Sequence, residues 1–228
     1  MQNIHNWPPW SPNLVNEDVI EDYISKSSVL KDFEKGTTLY CQGEEGTYVY
    51  LLLHGRIEIS LTSEEGRKRI VSVHEPKCFI GETVLDGSPY TTTATCLTPV
   101  KVRIFRVSDL LLLINEQPAI MKAIINNMCF KMRSAIWQLG EQSFGEVKDR
   151  VNDLLFALSN KFGESHPEGI YLKLPLSHQV IADIVGSTRV RVSQTFAHLI
   201  KQGKVIKYKN GFLIKLPINT DRTHTTNY

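Results

Sequence analysis

Close cysteine pairs are missing from this chain of 228 residues: Cys41, Cys78, Cys96 and Cys129 stand far apart. That spacing argues against a zinc knuckle or a dense disulfide framework and points to a reducing compartment. Long apolar runs are missing too. Leu110 to Ile114 and Val49 to Leu53 have five residues each, against the roughly 20 that span a bilayer. The opening MQNIHNWPPWSP has no basic segment followed by an apolar run, so neither a secretory signal nor a membrane contact is expected, and the cytoplasm is the expected location. The seven histidines form no His-x-His pair, and neither a Gly-rich phosphate loop nor a nucleophile elbow occurs. No enzyme and no metal site is therefore expected.

What is present is ordinary globular material, 42% apolar and 22% charged, enough for one large or two modest domains. The net charge of +2 hides an asymmetry: up to Gly145 there are 14 basic and 17 acidic residues, and after it 12 and 7. Between Leu176 and Lys215 seven Lys/Arg face a single acid, Asp183, as a polyanion-binding module would show and as an ordinary solvated face also can.

From Gly36 to Arg106 short β-branched and aromatic runs alternate with glycine-marked turns, which predicts an antiparallel β-roll. Within it RIEISLTSEEGRKRIVSV reads as a hairpin with an acidic tip at Ser63 to Gly66. Pro118 then opens a long helix to about Gln142. Ile120, Ile124, Met128, Met132, Ala135 and Leu139 form its apolar stripe, suited either to a coiled-coil partner or to the β-roll. Phe144 and Gly145 break the pattern as a hinge before a second helix, Glu146 to Lys161. The fold class is thus α+β: an N-terminal antiparallel β-roll, a long dimerisation helix and a C-terminal reader, with boundaries at 1–115, 116–145 and 146–228.

That reader carries the sharpest signal. Leu176 to Val185 and a helix running to Gln202 flank Gly186, with Ser187 or Thr188 as cap, and GKVIKYKNGFLIKL follows as a hairpin with a basic tip. Together they predict a winged helix-turn-helix. Affinity for double-stranded DNA comes mainly from phosphate neutralisation, and sequence choice from side chains at base edges. Arg189 can grip guanine, Gln194 adenine, Val190 a thymine methyl, and Ser193 a base or a phosphate; Arg191, Lys204, Lys207 and Lys209 are candidate phosphate contacts.

LSHQVIADIVGSTRVRVSQ resembles the helix-turn-helix of the cyclic-AMP receptor protein and fumarate-nitrate regulator family, and the likeness covers about residues 30 to 216. IGETVLDGSPYTTTATC resembles the family's phosphate-binding cassette, whose fold is a cyclic-nucleotide-binding-like jelly roll. The helix from Pro118 resembles its dimer helix. The resemblance implies a homodimeric, effector-responsive transcription regulator on a palindromic promoter site. SHPEG, with Ser165, His166 and Gly169, is similar to the loop that touches RNA polymerase in the receptor protein, and reads equally as a surface turn.

Departures from the family pattern redirect the effector. Where the receptor has an Arg-Ser pair for phosphate this chain has Thr92 and Thr93, and the adenine-reading pair is Ala135 and Ile136. Beside the recognition Arg the usual acid is Val190, and the usual later Arg is Gln194. A small organic effector, aromatic ones included, is expected in place of cyclic AMP, held by Gly81, Glu82, Thr83, Thr91, Thr92, Thr93, Ile136 and Trp137. The threonine run reads alternatively as a plain strand. The family's iron–sulfur cysteines have no counterpart before Cys41, and His74 with Cys78 fit core packing better than haem ligation, so neither cofactor is expected. The competing class is a small-molecule-binding or enzymatic β-barrel with a basic appendage, which would retard no DNA by sequence.

Overall fold

The computed structural model describes residues 23–173 and 176–215. The chain divides between Gln138 and Leu139 into two compact units, so the division falls within the long helix rather than at either end of it.

The first unit packs two antiparallel sheets of four strands, ordered β1-β8-β3-β6 and β2-β7-β4-β5. Their strands are β1 (Val29–Phe33), β2 (Thr38–Tyr40), β3 (Tyr48–His54), β4 (Ile57–Thr62), β5 (Lys68–His74), β6 (Cys78–Ile80), β7 (Thr93–Cys96) and β8 (Val100–Arg106). The roll begins at Val29, ahead of the sequence expectation at Gly36, because β1 pairs along β8 from Val29↔Ile104 to Phe33↔Val100. Side chains that alternate inward from both sheets, among them Leu51, Ile57, Phe79, Ala94 and Phe105, make one continuous core. Two helices close it: α1 (Val107–Glu116) and α2 (Pro118–Phe144). They contribute Leu110, Leu113, Ile120, Ala123 and Ile124 to that core.

The stripe expected on the long helix mixes two of its faces. Ile120 and Ile124 are buried against the roll, whereas Met128, Met132 and Leu139 are exposed. The outward run is Met121, Ile125, Met128, Met132, Ala135 and Leu139, all exposed, at alternating steps of four and three.

The second unit carries α3 (Val147–Phe162), α4 (His178–Val185) and α5 (Arg189–Lys201). Its sheet has the order β11-β12-β10-β9, from β9 (Glu164–His166), β10 (Gly169–Leu172), β11 (Val205–Tyr208) and β12 (Gly211–Ile214). The wing hairpin is therefore half of a larger sheet. Val151, Leu154, Ile181, Val185, Val192, Phe196 and Leu213 fill the space between helices and sheet.

Candidate effector pocket and nucleic-acid interface

A cavity of about 370 Å³ lies in the first unit between the roll and α2. Gly81, Glu82, Thr83, Thr91 and Thr92 from the cassette line it, with Tyr40, Ser72 and His74 from neighbouring strands and Lys131, Ser134 and Gln138 from the helix. Gly81 is required at its corner: φ is +81°, and a Cβ there would lie 3.2–3.3 Å from the Tyr90 and Tyr40 rings and the Tyr48 carbonyl. Those two rings stack at 3.9 Å. Burial raises the Tyr40 hydroxyl pKa, outweighing its hydrogen bond with Thr92, so Tyr40 meets the cavity as a neutral phenol.

Three of the expected effector residues stand elsewhere. Thr93 is absent from the cavity wall; its Oγ1 accepts a hydrogen bond from the Gln42 amide at 3.0 Å. Ile136 and Trp137 are absent as well, because helical phase turns Lys131, Ser134 and Gln138 towards the roll and leaves Ile136 62% exposed.

The sequence reading missed the polar lock at the back of the cavity. Glu82 is 2% exposed. Its Oε1 accepts from Asn127 Nδ2 at 2.8 Å, and Lys131 Nζ stands 2.7 Å from that same oxygen. The remaining Asn127 and Lys131 donors reach the Phe79 carbonyl at 3.0 and 2.8 Å. A lysine and an asparagine four residues apart on a helix were visible in the sequence, but only the register of α2 against β6 makes them partners of Glu82.

His74 is buried, and burial followed by the charge of Lys131 holds its pKa well below 6.5. Its Nε2 lies 3.1 Å from Ser72 Oγ. A neutral histidine in the native state means that the unfolded chain binds more protons, so stability falls as pH drops below about 6.5, by up to ~1.4 kcal/mol per pH unit. His74→Gln should flatten the acid limb of the melting temperature between neutral pH and about pH 5; an unchanged limb would place the titrating group elsewhere. Cys78 is likewise buried, with Sγ donating to the Glu75 carbonyl. Among the described residues no group of three or more His, Cys, Asp or Glu could hold a metal ion.

In the second unit, Gly186 ends α4 at φ 63° and Thr188, not Ser187, caps α5 by accepting from the Arg191 amide at 3.3 Å. The cap sets Arg189, Val190, Arg191 and Gln194 on the open face, all exposed. Ser193 departs from the expectation of a free base contact: it is half-buried, with its hydroxyl 2.8 Å from His178 Nδ1. Burial first, then the charges of Arg189 and Lys207, lower the His178 pKa, so recognition helix and wing converge electrostatically on the start of α4. Lys207 and Lys209 are exposed while Lys204 is half-buried. Lys207, Lys209 and Asn210 border a crevice of about 270 Å³ with Leu176 and Ser177. Ser165 is exposed and Gly169 half-buried. His166 stacks edge-on against Tyr208 at 5.0 Å, and its Nδ1 accepts from the Glu168 amide.

A β-roll with a cavity against its long helix, and a winged helix-turn-helix whose open face is basic, define a DNA-reader architecture. Residues 30–117 match the cyclic nucleotide-binding domain and residues 149–217 the Crp-like helix-turn-helix domain, together more than half of the chain. The chain belongs to the cyclic-AMP receptor protein and fumarate-nitrate regulator family of DNA-binding transcription regulators and is not an enzyme. It is 26% identical over 75% of its length to a CRP-like cAMP-activated global transcriptional regulator of Mycobacterium tuberculosis, covering 77% of that protein. With a global nitrogen regulator of Synechococcus elongatus it shares 25% identity, over 83% of this chain and 86% of the relative. The solved c-di-GMP-responsive global regulator CLP of Xanthomonas campestris superposes with a TM-score of 0.80 at 19% identity, over 89% of this chain and all of the other, a likeness of fold. Among the described residues no helix is long and apolar enough to cross a membrane.

Proposed function

We propose that the protein is a cytoplasmic homodimer that binds a palindromic promoter site and is switched by a small organic effector in the roll cavity. The observation that carries the DNA half is the exposed face of Arg189, Arg191 and Gln194 beside the exposed wing cations Lys207 and Lys209. Arg189 and Gln194 read bases with Val190, while Arg191, Lys204, Lys207 and Lys209 hold phosphates. The apolar seam along α2 supports the dimer. SHPEG, exposed at Ser165, is the contact for RNA polymerase. An effector other than cyclic AMP is supported by a cavity wall that lacks arginine, although the M. tuberculosis relative is cAMP-activated.

Selection from random oligonucleotides followed by gel shift tests the reading. Arg189→Ala should lose about 1–3 kcal/mol of discrimination at one guanine, whereas Lys207→Ala should weaken all sequences alike. Equal losses on specific and random DNA for Arg189→Ala would reduce that residue to a phosphate contact.

A further inference from the structure

The charge inventory of the roll cavity narrows what it can hold. Its ionisable wall groups are Tyr40, His74, Glu82 and Lys131. Burial keeps the first two neutral, which leaves one carboxylate and one ammonium. Lys131 Nζ donates to Glu82 Oε2 and to the Phe79 carbonyl, both at 2.8 Å, and lies 2.7 Å from Glu82 Oε1, so its charge is matched by that carboxylate. An incoming anion meets an ammonium already neutralised by Glu82 and gains its charge only in competition with that carboxylate. Glu82 in turn accepts from Asn127 and Lys131 and is 2% exposed, so a ligand cation or a sugar hydroxyl would have to compete with these partners at a buried carboxylate. Pulling Lys131 away would strand the Glu82 carboxylate as a buried, unpaired charge.

We propose that this cavity takes an uncharged effector, and that the Glu82–Lys131 pair is the specificity element that rejects both anions and cations. This rests on the reading of the cavity as an effector site. The rest of the wall suits such a molecule: Ile59, Val71, Met128 and Met132 supply apolar surface. The Thr83 and Thr91 hydroxyls, on exposed residues, supply neutral hydrogen bonding at the cassette side. At interior packing density the volume corresponds to roughly 15–20 non-hydrogen atoms. An organic acid would enter only as its protonated form, and a cyclic nucleotide, charged at every physiological pH, would be excluded.

The test uses the full chain and two fluorescent probes of one ring skeleton: uncharged N-phenyl-1-naphthylamine and 8-anilino-1-naphthalenesulfonate, which adds a sulfonate. Ser72→Trp, which fills the cavity from β5, identifies the fluorescence that comes from this site. The expected result is at least tenfold tighter site-specific binding of the uncharged probe, with cyclic AMP displacing neither. Glu82→Gln, which frees Lys131, should narrow or reverse the preference. Lys131→Gln serves if that variant fails to fold, and should leave the sulfonated probe as weak as before. A wild-type protein that prefers the sulfonated probe, or a tenfold loss of that probe in Lys131→Gln, would overturn the uncharged-effector inference while sparing the pocket. Probe binding that ignores Ser72→Trp would remove the effector reading of the cavity, and this inference with it.

Discussion

Leu139→Lys should leave the protein monomeric at micromolar concentration and weaken its hold on a two-half-site DNA by about 100-fold or more, through loss of the tethered second reader. The outward face of α2 is the reason. Met121, Ile125, Met128, Met132 and Leu139 are 40–66% exposed, and with Ala135 they keep a seven-residue repeat over most of a helix of 27 residues. A solvated helix face has no reason to hold that period, whereas a two-stranded coiled coil requires it. In the proposed dimer a two-fold axis along the seam would set each position against its own copy, so one substitution would place two lysines opposite each other in an apolar interface. Ile125→Lys should do the same from a position outside the cavity wall, and Lys122→Ala, on the solvated flank, should do nothing. Sedimentation equilibrium checks the assembly and gel shift on full and half sites checks the affinity. A Leu139→Lys protein that sediments as a dimer would remove α2 as the interface.

The winged reader was legible because its determinants are local. Gly186 and Thr188 lie next to the residues they place, and a left-handed residue followed by an N-cap fixes where α5 starts whatever else surrounds it. The roll was legible as alternating runs between glycines, though β1 was not: its pairing with β8 joins residues some 70 positions apart and has no local mark. Longer reach explains the misplaced site residues as well. Ile136 follows from the family motif and Trp137 from its contact area, but a helix buries residues by phase, and the phase of α2 is set by Ile120, Ile124 and Asn127 packing on the roll. Ser193 lies on the expected stripe of α5, yet its hydroxyl meets His178 because α4 crosses at that point. The Glu82 lock needed three elements at once, β6, the turn after it and α2, and no spacing rule connects them.

Arg150 is the residue whose loss should cost the reader most. No motif marked it, since one arginine in KDRVND reads as a solvated helix charge, but it is 8% exposed at the start of α3. Its Nε donates to the Val185 carbonyl at 2.9 Å, and its Nη1 to the Glu141 and Gly145 carbonyls at 3.1 and 2.7 Å. One guanidinium thus ties the last turn of α2 and the chain after it to the end of α4, the residue before the turn that launches Arg189. The Glu141 carbonyl also accepts from the Gly145 amide at 2.9 Å, so it is the Gly145 and Val185 carbonyls, past the last intrahelical donors, that depend on Arg150. Arg150→Met keeps the apolar stem and removes the fork. It should destabilise the second unit by about 3 kcal/mol, because buried acceptors left without donors cost roughly 1–3 kcal/mol each and relax in part. For a unit of this size that is a fall in melting temperature of roughly 10–20 °C. Arg150→Lys, with a point charge in place of the planar fork, can restore at most part of this. Hydrogen exchange should report the loss first in α4 and α5, as a rise of about two orders of magnitude in amide exchange. Specific DNA affinity should fall with it even below the melting temperature, since Arg189 is aimed by the turn that Val185 anchors. Unchanged exchange in α4 and α5 would mean that the packing of Val151, Leu154 and Ile181 holds the turn alone, and that the Gly145 and Val185 carbonyls find their donors in water.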